Sequence, residues 1–419
     1  MFSKINFSST YAKGVISLLK GNVWAQFIGF GGTFLIAKLY GADSLGVFSK
    51  FMSLSAVIAI FFTLRLESAF VLSDKEKNLK EIFSSIVYSI FTGGILSFLV
   101  IILLPDSFYD KVNFLKIYIV FCVIGAILKS SESTYLSYLL RLKKFKIIAS
   151  SRILFTVIRY SFQIGFFFLI PETGLIYGFI IATLVLLLFY INKVGNLFSF
   201  ISFSRFKITL KENINLVSYG VLSDNLNVFN LHIITIIGGV YFANSEVGWY
   251  FLSVVLLSVP GTFVNASFSK IFFLRASEIY NKEQTKLYYF VKKHTLRLSL
   301  LLFIPFLLLF FLSETIIELI LGTKWAIVGT YIKFLCLLFY LRAIYNPVSH
   351  LEEVLKKNHI GLLFNLFLIL GNLTAIYIGL REKSFLVTIE LISYILPIGY
   401  LAMISFFLLI TYRMRSIKL

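Results

Sequence analysis

A run of about twenty apolar residues without a charge fits few places other than the hydrocarbon of a bilayer, which it crosses as a helix. This chain has five such runs, at 82–105, 173–192, 247–269, 360–380 and 391–412. A sixth, at 225–245, carries only His232 as an ionisable group. Six more, at 18–39, 45–64, 114–138, 148–170, 296–320 and 325–350, are interrupted by isolated charges. The pattern predicts an all-α membrane protein with about twelve spans. Composition agrees, with 58% hydrophobic residues against 14% charged, where a soluble domain averages about 25% charged.

The net charge of +19 would suit a nucleic-acid binder, but its distribution excludes that partner. The basic residues fall in short clusters between the apolar runs, as in loops that face anionic lipid. With the N-terminus inside, 27 Lys and Arg lie on the cytoplasmic side and four on the other, Lys111, Lys324, Arg381 and Lys383. Both termini are therefore expected in the cytoplasm. MFSKINFSSTYAKG carries basic residues ahead of an apolar segment, with no small-residue cleavage site after it. That segment is expected to remain as the first span. Cys122 and Cys336 lie in apolar runs and imply no disulfide framework. No outer connection exceeds about ten residues by this reading, which leaves little room for chemistry outside the membrane.

The longer connections, 193–212 and 270–297, are inside. NLFSFISFSRFKITL, at 196–210, mixes Phe, Ile and basic residues as an interfacial helix does. This connection divides the chain into six spans plus six, 1–200 and 201–419. LYGADSLGVFS at 39–49 and YFANSEVGWYF at 241–251 both end an apolar helix, make a short acidic turn and restart at Gly-hydrophobic-aromatic. Superposing Lys143-Lys144 on Lys356-Lys357 sets Lys129 on Arg342, although two amphipathic helices can align by coincidence. Pro260, Pro305, Pro347 and Pro397, the prolines within spans, all belong to the second half. That half is either more deformable or carries ordinary helix irregularity.

The region 39–77, LYGADSLGVFSKFMSLSAVIAIFFTLRLESAFVLSDKEK, resembles the second-helix region of the Wzx-type flippases of O-antigen and capsular polysaccharide repeat units. Tyr40, Gly41, Asp43, Gly46, Phe48, Arg65 and Glu67 carry the likeness, and EVGWYFLS at 246–253 is similar to the family's restart after helix seven. The resemblance implies a fold like the multidrug and toxin extrusion transporters, two six-helix bundles around a central cavity. It implies movement of an undecaprenyl-pyrophosphate-linked glycan between leaflets of the bacterial inner membrane, with membrane lipids and a polysaccharide polymerase as partners. It carries no catalytic signature and implies no enzyme.

A Lys or Arg at mid-helix costs about 2.5–3.5 kcal/mol on insertion scales and so faces a bundle interior or a wet cavity. The deep basic residues are Lys50, Lys129, Arg152, Arg159, Lys333 and Arg342, against Glu132, Asp224 and Glu390. That balance favours an anionic cargo. Arg152 and Arg159, seven apart, share one helix face. Lys50 and Lys333 lie near span ends, where snorkelling competes, and a salt bridge at a loop edge explains Arg65 and Glu67. The expected cargo-binding set is Arg159, Arg342, Lys129 and Arg152. A local pair with Glu132, three residues on, is the competing account of Lys129. Ser130, Ser131, Ser133, Thr134, Tyr135 and Tyr138 surround Lys129 with groups suited equally to sugars and to helix contacts.

No GxxxxGK[ST] motif is present, so the chain holds no ATPase site of that kind. An ion gradient is the expected driver, with Na⁺ or H⁺ as the coupling ion and no other cofactor. Asp224, in SDNLNVFNLH beside Asn225, Asn227, Asn230 and His232, is the candidate coupling carboxylate, with a capping role as the alternative. His232, His294, His350 and His359 lack metal-ligand spacing. A drug or cation antiporter of the same fold is the second reading, which predicts an acidic cavity instead. Peptidoglycan-precursor flippases usually have two further helices, and polymerases or ligases need a sizeable outer loop.

Overall fold

Gly41 divides the first long helix. The helical run α1 (Thr10–Thr63) is interrupted there by φ +76° and ψ 177°, values a side chain would resist. The two expected spans on either side thus become two helices meeting at a glycine. The computed structural model describes residues 10–72, 76–105, 116–195, 197, 203–214, 216–355 and 357–416. Among them, helices follow as α2 (Glu76–Leu103), α3 (Lys116–Arg141), α4 (Phe145–Phe167), α5 (Gly174–Val194) and α6 (Phe203–Glu212). Then come α7 (Val221–Ile233), α8 (Asn244–Lys282), α9 (Leu287–Leu321), α10 (Ala326–Val348), α11 (Asn358–Arg381) and α12 (Phe385–Ser416). No strand occurs among the described residues.

Eleven of the twelve expected spans fall mainly on one of these helices, while the span at 225–245 runs from α7 through a π-helical turn to a break at 242–243. Eight helices among the described residues are long and apolar enough to cross a membrane, the first being the 44-residue stretch Lys20–Thr63 that holds two expected spans. The expected spans at 148–170, 225–245 and 247–269 lie outside those eight. The first carries Arg152 and Arg159 among Ser, Thr and Gln. The second is broken by the π-helical turn Ile234–Gly238, which follows α7. The third includes residues whose side chains are not described. Pro260, Pro305, Pro347 and Pro397 all lie inside helices, α8, α9, α10 and α12. The chain is a multi-pass membrane protein.

Contacts group the residues into two units, Met1–Ser245 and Glu246–Leu419. The boundary expected at 200/201 counts spans, whereas this one reflects packing. α7 and its continuation belong with the first unit because α1 bonds to them: Lys50 Nζ donates to the carbonyl of Gly239 (3.0 Å) and Ser53 Oγ meets His232 Nδ1 (2.9 Å).

Lipid tails are as apolar as leucine, so helices in a membrane gain little from hiding Leu and must associate through close packing and polar contacts. The first unit shows both. Ser55 Oγ donates to the carbonyl of Cys122 (3.1 Å), Ser130 Oγ to that of Ala59 (3.0 Å), and the Thr33 and Tyr160 hydroxyls meet at 2.8 Å. Two aromatic groups fill the space between. Tyr135 stacks on Tyr190 and meets Phe83 edge-on. Phe179 meets both Phe51 and Phe155 edge-on. The second unit repeats the scheme, with Ser253 Oγ donating to Val328 and Ser313 Oγ to Gly329, both at 3.2 Å. The outer face of α9, including Leu300, Ile304, Phe311 and Leu319, is exposed, as a lipid-facing helix requires.

The segment expected to lie at the interface forms α6. Phe206 is buried against the Tyr88 ring at 4.7 Å and Arg205 pairs with Glu81 at 3.2 Å, while Phe203 and Ile208 stay exposed.

Candidate functional site

The first unit brings three of the four expected cargo-binding residues together. Lys129 and Glu132 lie one turn apart on α3, and Arg152 and Arg159 two turns apart on α4. Lys129 interacts through space with both Glu132 and Arg159. Glu132 interacts with Lys129 and Arg152. Tyr190 of α5 closes the group: it feels Glu132 and Arg152, and its hydroxyl meets Ser151 Oγ at 2.9 Å. Among the described residues, neither a salt bridge nor a side-chain hydrogen bond joins Lys129 to Glu132, nor either arginine to Glu132. The local-pair account of Lys129 is therefore reduced to an electrostatic coupling without direct contact.

Arg159 is held by rings instead of carboxylates. Its guanidinium carbon lies 5.5 Å from the centre of Phe48 and 5.0 Å from that of Tyr160, a spacing at which the negative faces of the rings attract a cation. Its Nε is buried and has no hydrogen-bond partner among the described residues. Phe48 belongs to the motif 39–49 and stacks on Phe51. The motif thus reaches the site through an aromatic ring, which its spacing alone did not disclose. A buried donor left unused costs free energy unless something brings an acceptor.

Arg342 stands in the second unit, on α10. Its guanidinium lies 5.6 Å from the Phe339 ring centre and interacts with Tyr250 and Tyr400. The two other deep cations have structural partners. Lys50 is buried and directed at the Gly239 carbonyl just beyond the π-helical turn, so it does not run out to the membrane surface. A methyl group on Gly239 would lie 2.6 Å from Lys50 Cδ, so a larger residue there would push the lysine side chain aside. Lys333 is ion-paired with Glu314 of α9, which also accepts from Thr330 Oγ1 at 3.3 Å. Glu67 accepts from Ser133 Oγ at 3.3 Å, and Arg65 caps the adjoining turn in a left-handed conformation, φ +56°.

The backbone of Asp224 lies in α7, but its side chain lies outside the described residues. Of the neighbours expected to support it, Asn225 donates through Nδ2 to the Val221 carbonyl, and its Oδ1 is buried without a partner. His232 is directed to Ser53. Among the described residues no three His, Cys, Asp or Glu form a metal-binding group.

Three participants escaped the sequence reading. Glu314, seven residues from the end of its helix, passes for an interfacial charge until Lys333 is seen opposite. Tyr190 reads as one aromatic among many in a charge-free span. Glu352 follows the apolar run of α10 in what reads as a loop. It accepts a hydrogen bond from Tyr345 Oη at 2.7 Å.

An all-helical, multi-pass chain with cations inside a helix bundle has the architecture of a membrane transporter. The chain belongs to the polysaccharide biosynthesis protein family, whose model matches residues 35–328. Among solved structures it is similar to the lipid II flippase MurJ in an inward closed conformation, with a TM-score of 0.70 and 16% identity. That match covers 95% of this chain and 90% of the other. It is also similar to a MATE family multidrug resistance transporter of the MOP superfamily. The inward-facing form gives a TM-score of 0.64 at 13% identity, covering 94% of this chain and 95% of that one. The outward-facing form gives 0.58 at 12%, covering 97% and 96%. At these identities the likeness is one of fold. No curated protein matches the sequence.

Proposed function

We propose that this chain is a flippase for an undecaprenyl-pyrophosphate-linked oligosaccharide repeat unit of the O-antigen or capsular kind. It works by alternating access in the bacterial inner membrane, with both termini cytoplasmic, and passes its product toward a polysaccharide polymerase. The observation that carries this reading is the grouping of the three cations Lys129, Arg152 and Arg159 on α3 and α4, against the carboxylates of Glu132 and of Glu67, which accepts from Ser133. A pyrophosphate cannot enter hydrocarbon unaided, since desolvating an anion costs several kcal/mol or more unless cations replace its water. Arg342 offers the same chemistry from the second unit. Membership in a polysaccharide biosynthesis family supports a glycan as the rest of the cargo, and the fold shared with a lipid II flippase supports a lipid carrier.

The test is selective transport by the wild-type chain in liposomes. A pyrophosphate-linked polyprenyl oligosaccharide should cross, measured by its accessibility to an added sugar-modifying enzyme. The same lipid with an uncharged linker should cross at the background rate. Movement of organic cations in its place would establish the antiporter reading and remove this one.

Transport on this reading is coupled to Na⁺ or H⁺ through Asp224. Asp224→Asn should make the flipping rate independent of an imposed Na⁺ or proton gradient while leaving cargo binding in place. A variant that still responds to the gradient as wild type does would remove Asp224 from the mechanism.

A further inference from the structure

α6 is pinned against α2 at a defined depth. Arg205 pairs with Glu81 at 3.2 Å, and Glu81 is the last charged residue of α2 before its charge-free run begins at residue 82. The rings of Phe206 and Phe203 lie 4.7 and 6.2 Å from that of Tyr88, which is seven residues, or about 10 Å, further along α2. α6 therefore lies beside the point where α2 enters the apolar layer, with Phe203 toward the deeper side. Helical period sorts its side chains into stripes. Phe206 and Thr209 face the bundle and are buried. Arg205 and Glu212, seven apart, form one exposed flank. Phe203, Lys207 and Lys211, each four from the next, form the other, and all three are exposed. Ile214, just past the end of α6, is exposed as well.

The two flanks differ in how their charge is met. Arg205 has Glu81, whereas among the described residues neither Lys207 nor Lys211 has an ion pair. Lys207 Nζ lies 4.7 Å from the Phe203 ring centre, a contact that holds the ammonium beside an aromatic ring without neutralising it. We infer that this flank is a docking surface for the headgroups of acidic phospholipids, with Lys207 and Lys211 on the phosphates and Phe203 among the upper acyl carbons. Charge complementarity and depth together select that occupant. An acidic protein would satisfy the lysines but leaves unexplained an exposed phenyl ring at the apolar boundary. Lysine is a compact, flexible point charge, which suits a fluid surface with no fixed geometry. The cytoplasmic leaflet follows from the topology proposed above, while the surface itself depends on no cargo.

The test places a reporter in the stripe. Phe203→Trp keeps an exposed aromatic ring there, and its fluorescence is quenched by lipids brominated on their acyl chains. The full chain is reconstituted in phosphatidylcholine containing brominated phosphatidylglycerol, then in the reverse mixture. The same chain without the reporter corrects for Trp24, Trp249 and Trp325. Quenching at position 203 should favour phosphatidylglycerol by roughly fivefold for each lysine, the scale of one basic residue beside an anionic surface. Lys207→Gln with Lys211→Gln should bring the preference close to one, and the two Arg substitutions should retain it. Removing equal charge elsewhere, at the exposed Lys324 and Lys383, should change nothing. High salt should erode the preference, since exposed charges are screened. Three results overturn the inference. Absence of quenching by either lipid means that water, a second copy or another protein covers the stripe. Equal quenching by both lipids means that it meets lipid without selecting acidic headgroups. A preference that survives loss of both lysines means that other residues supply it. Flipping of cargo enters none of these readouts, so this inference and the proposed function fail separately.

Discussion

Arg159→Ala is expected to slow flipping of a pyrophosphate-linked lipid by roughly 10- to 100-fold, the loss of one charge-assisted hydrogen bond of about 1.5–3 kcal/mol. The amount of protein in the membrane should not change. The guanidinium sits on Phe48 and Tyr160, and its buried Nε has no acceptor among the described residues. Ring contacts of this kind contribute about 0.5–2 kcal/mol, enough to hold the side chain in place but less than an ionic acceptor would add. Deleting it removes a cost of insertion as well as a contact, so the fold has little to lose.

Arg159→Lys distinguishes charge from shape. Lysine keeps the charge but lacks the planar fork that lies on rings and grips two oxygens at once. It should recover part of the rate and leave affinity lower than wild type. Raising salt should depress wild-type flipping only modestly, because buried charges are screened far less than exposed ones. Undiminished flipping by the alanine variant would remove Arg159 from the cargo site.

The helical plan was legible because lipid forces each spanning segment to satisfy its own backbone, so a sequence of apolar runs is nearly a list of helices. Even the break at Gly41 was marked, by a glycine between an apolar helix end and an acidic turn. Within the site, the common face of Arg152 and Arg159 followed from helical period alone. What lay beyond reach were contacts between helices distant in sequence. Lys50 looks like a snorkelling lysine until the Gly239 carbonyl, 189 residues away, is seen at its tip. Lys333 looks like a cargo residue or a surface one until Glu314 is placed beside it. The approach of Lys129 to Arg159 depends on how α3 and α4 are set against each other, for which residue spacing on either helix holds no information. Neither the burial of a given ionisable group nor its partner was fully legible: Lys50, read as snorkelling, is buried, and Arg152, read as deep, is exposed.

The approach of α4 to α5 depends on two glycines, which makes Gly178→Leu a strongly damaging packing change in the first unit. Gly174 and Gly178 stand four apart on α5, the small-xxx-small spacing that lets membrane helices touch through their backbones. A methyl group on Gly178 would lie 2.5 Å from Gln163 Cγ and 2.8 Å from the Gln163 backbone nitrogen. Backbone cannot swing aside as a side-chain tip does, so α4 and α5 must separate. Gln163 is fully buried, donates through Nε2 to the Leu175 carbonyl at 2.9 Å, and receives the Tyr40 hydroxyl on its own carbonyl. Separation therefore strains or breaks the buried Gln163–Leu175 hydrogen bond that joins the two helices, at about 1–3 kcal/mol, on top of about 1–3 kcal/mol for overpacking. The leucine variant should show a markedly lower unfolding temperature in detergent and a poor yield of monodisperse protein. Gly178→Ala should lie between it and wild type. Because α4 carries Arg152 and Arg159, whatever alanine variant survives purification should also bind inorganic pyrophosphate less well, although Gly178 meets no cargo. Wild-type stability and affinity in the leucine variant would mean that the two helices do not approach this closely in the membrane.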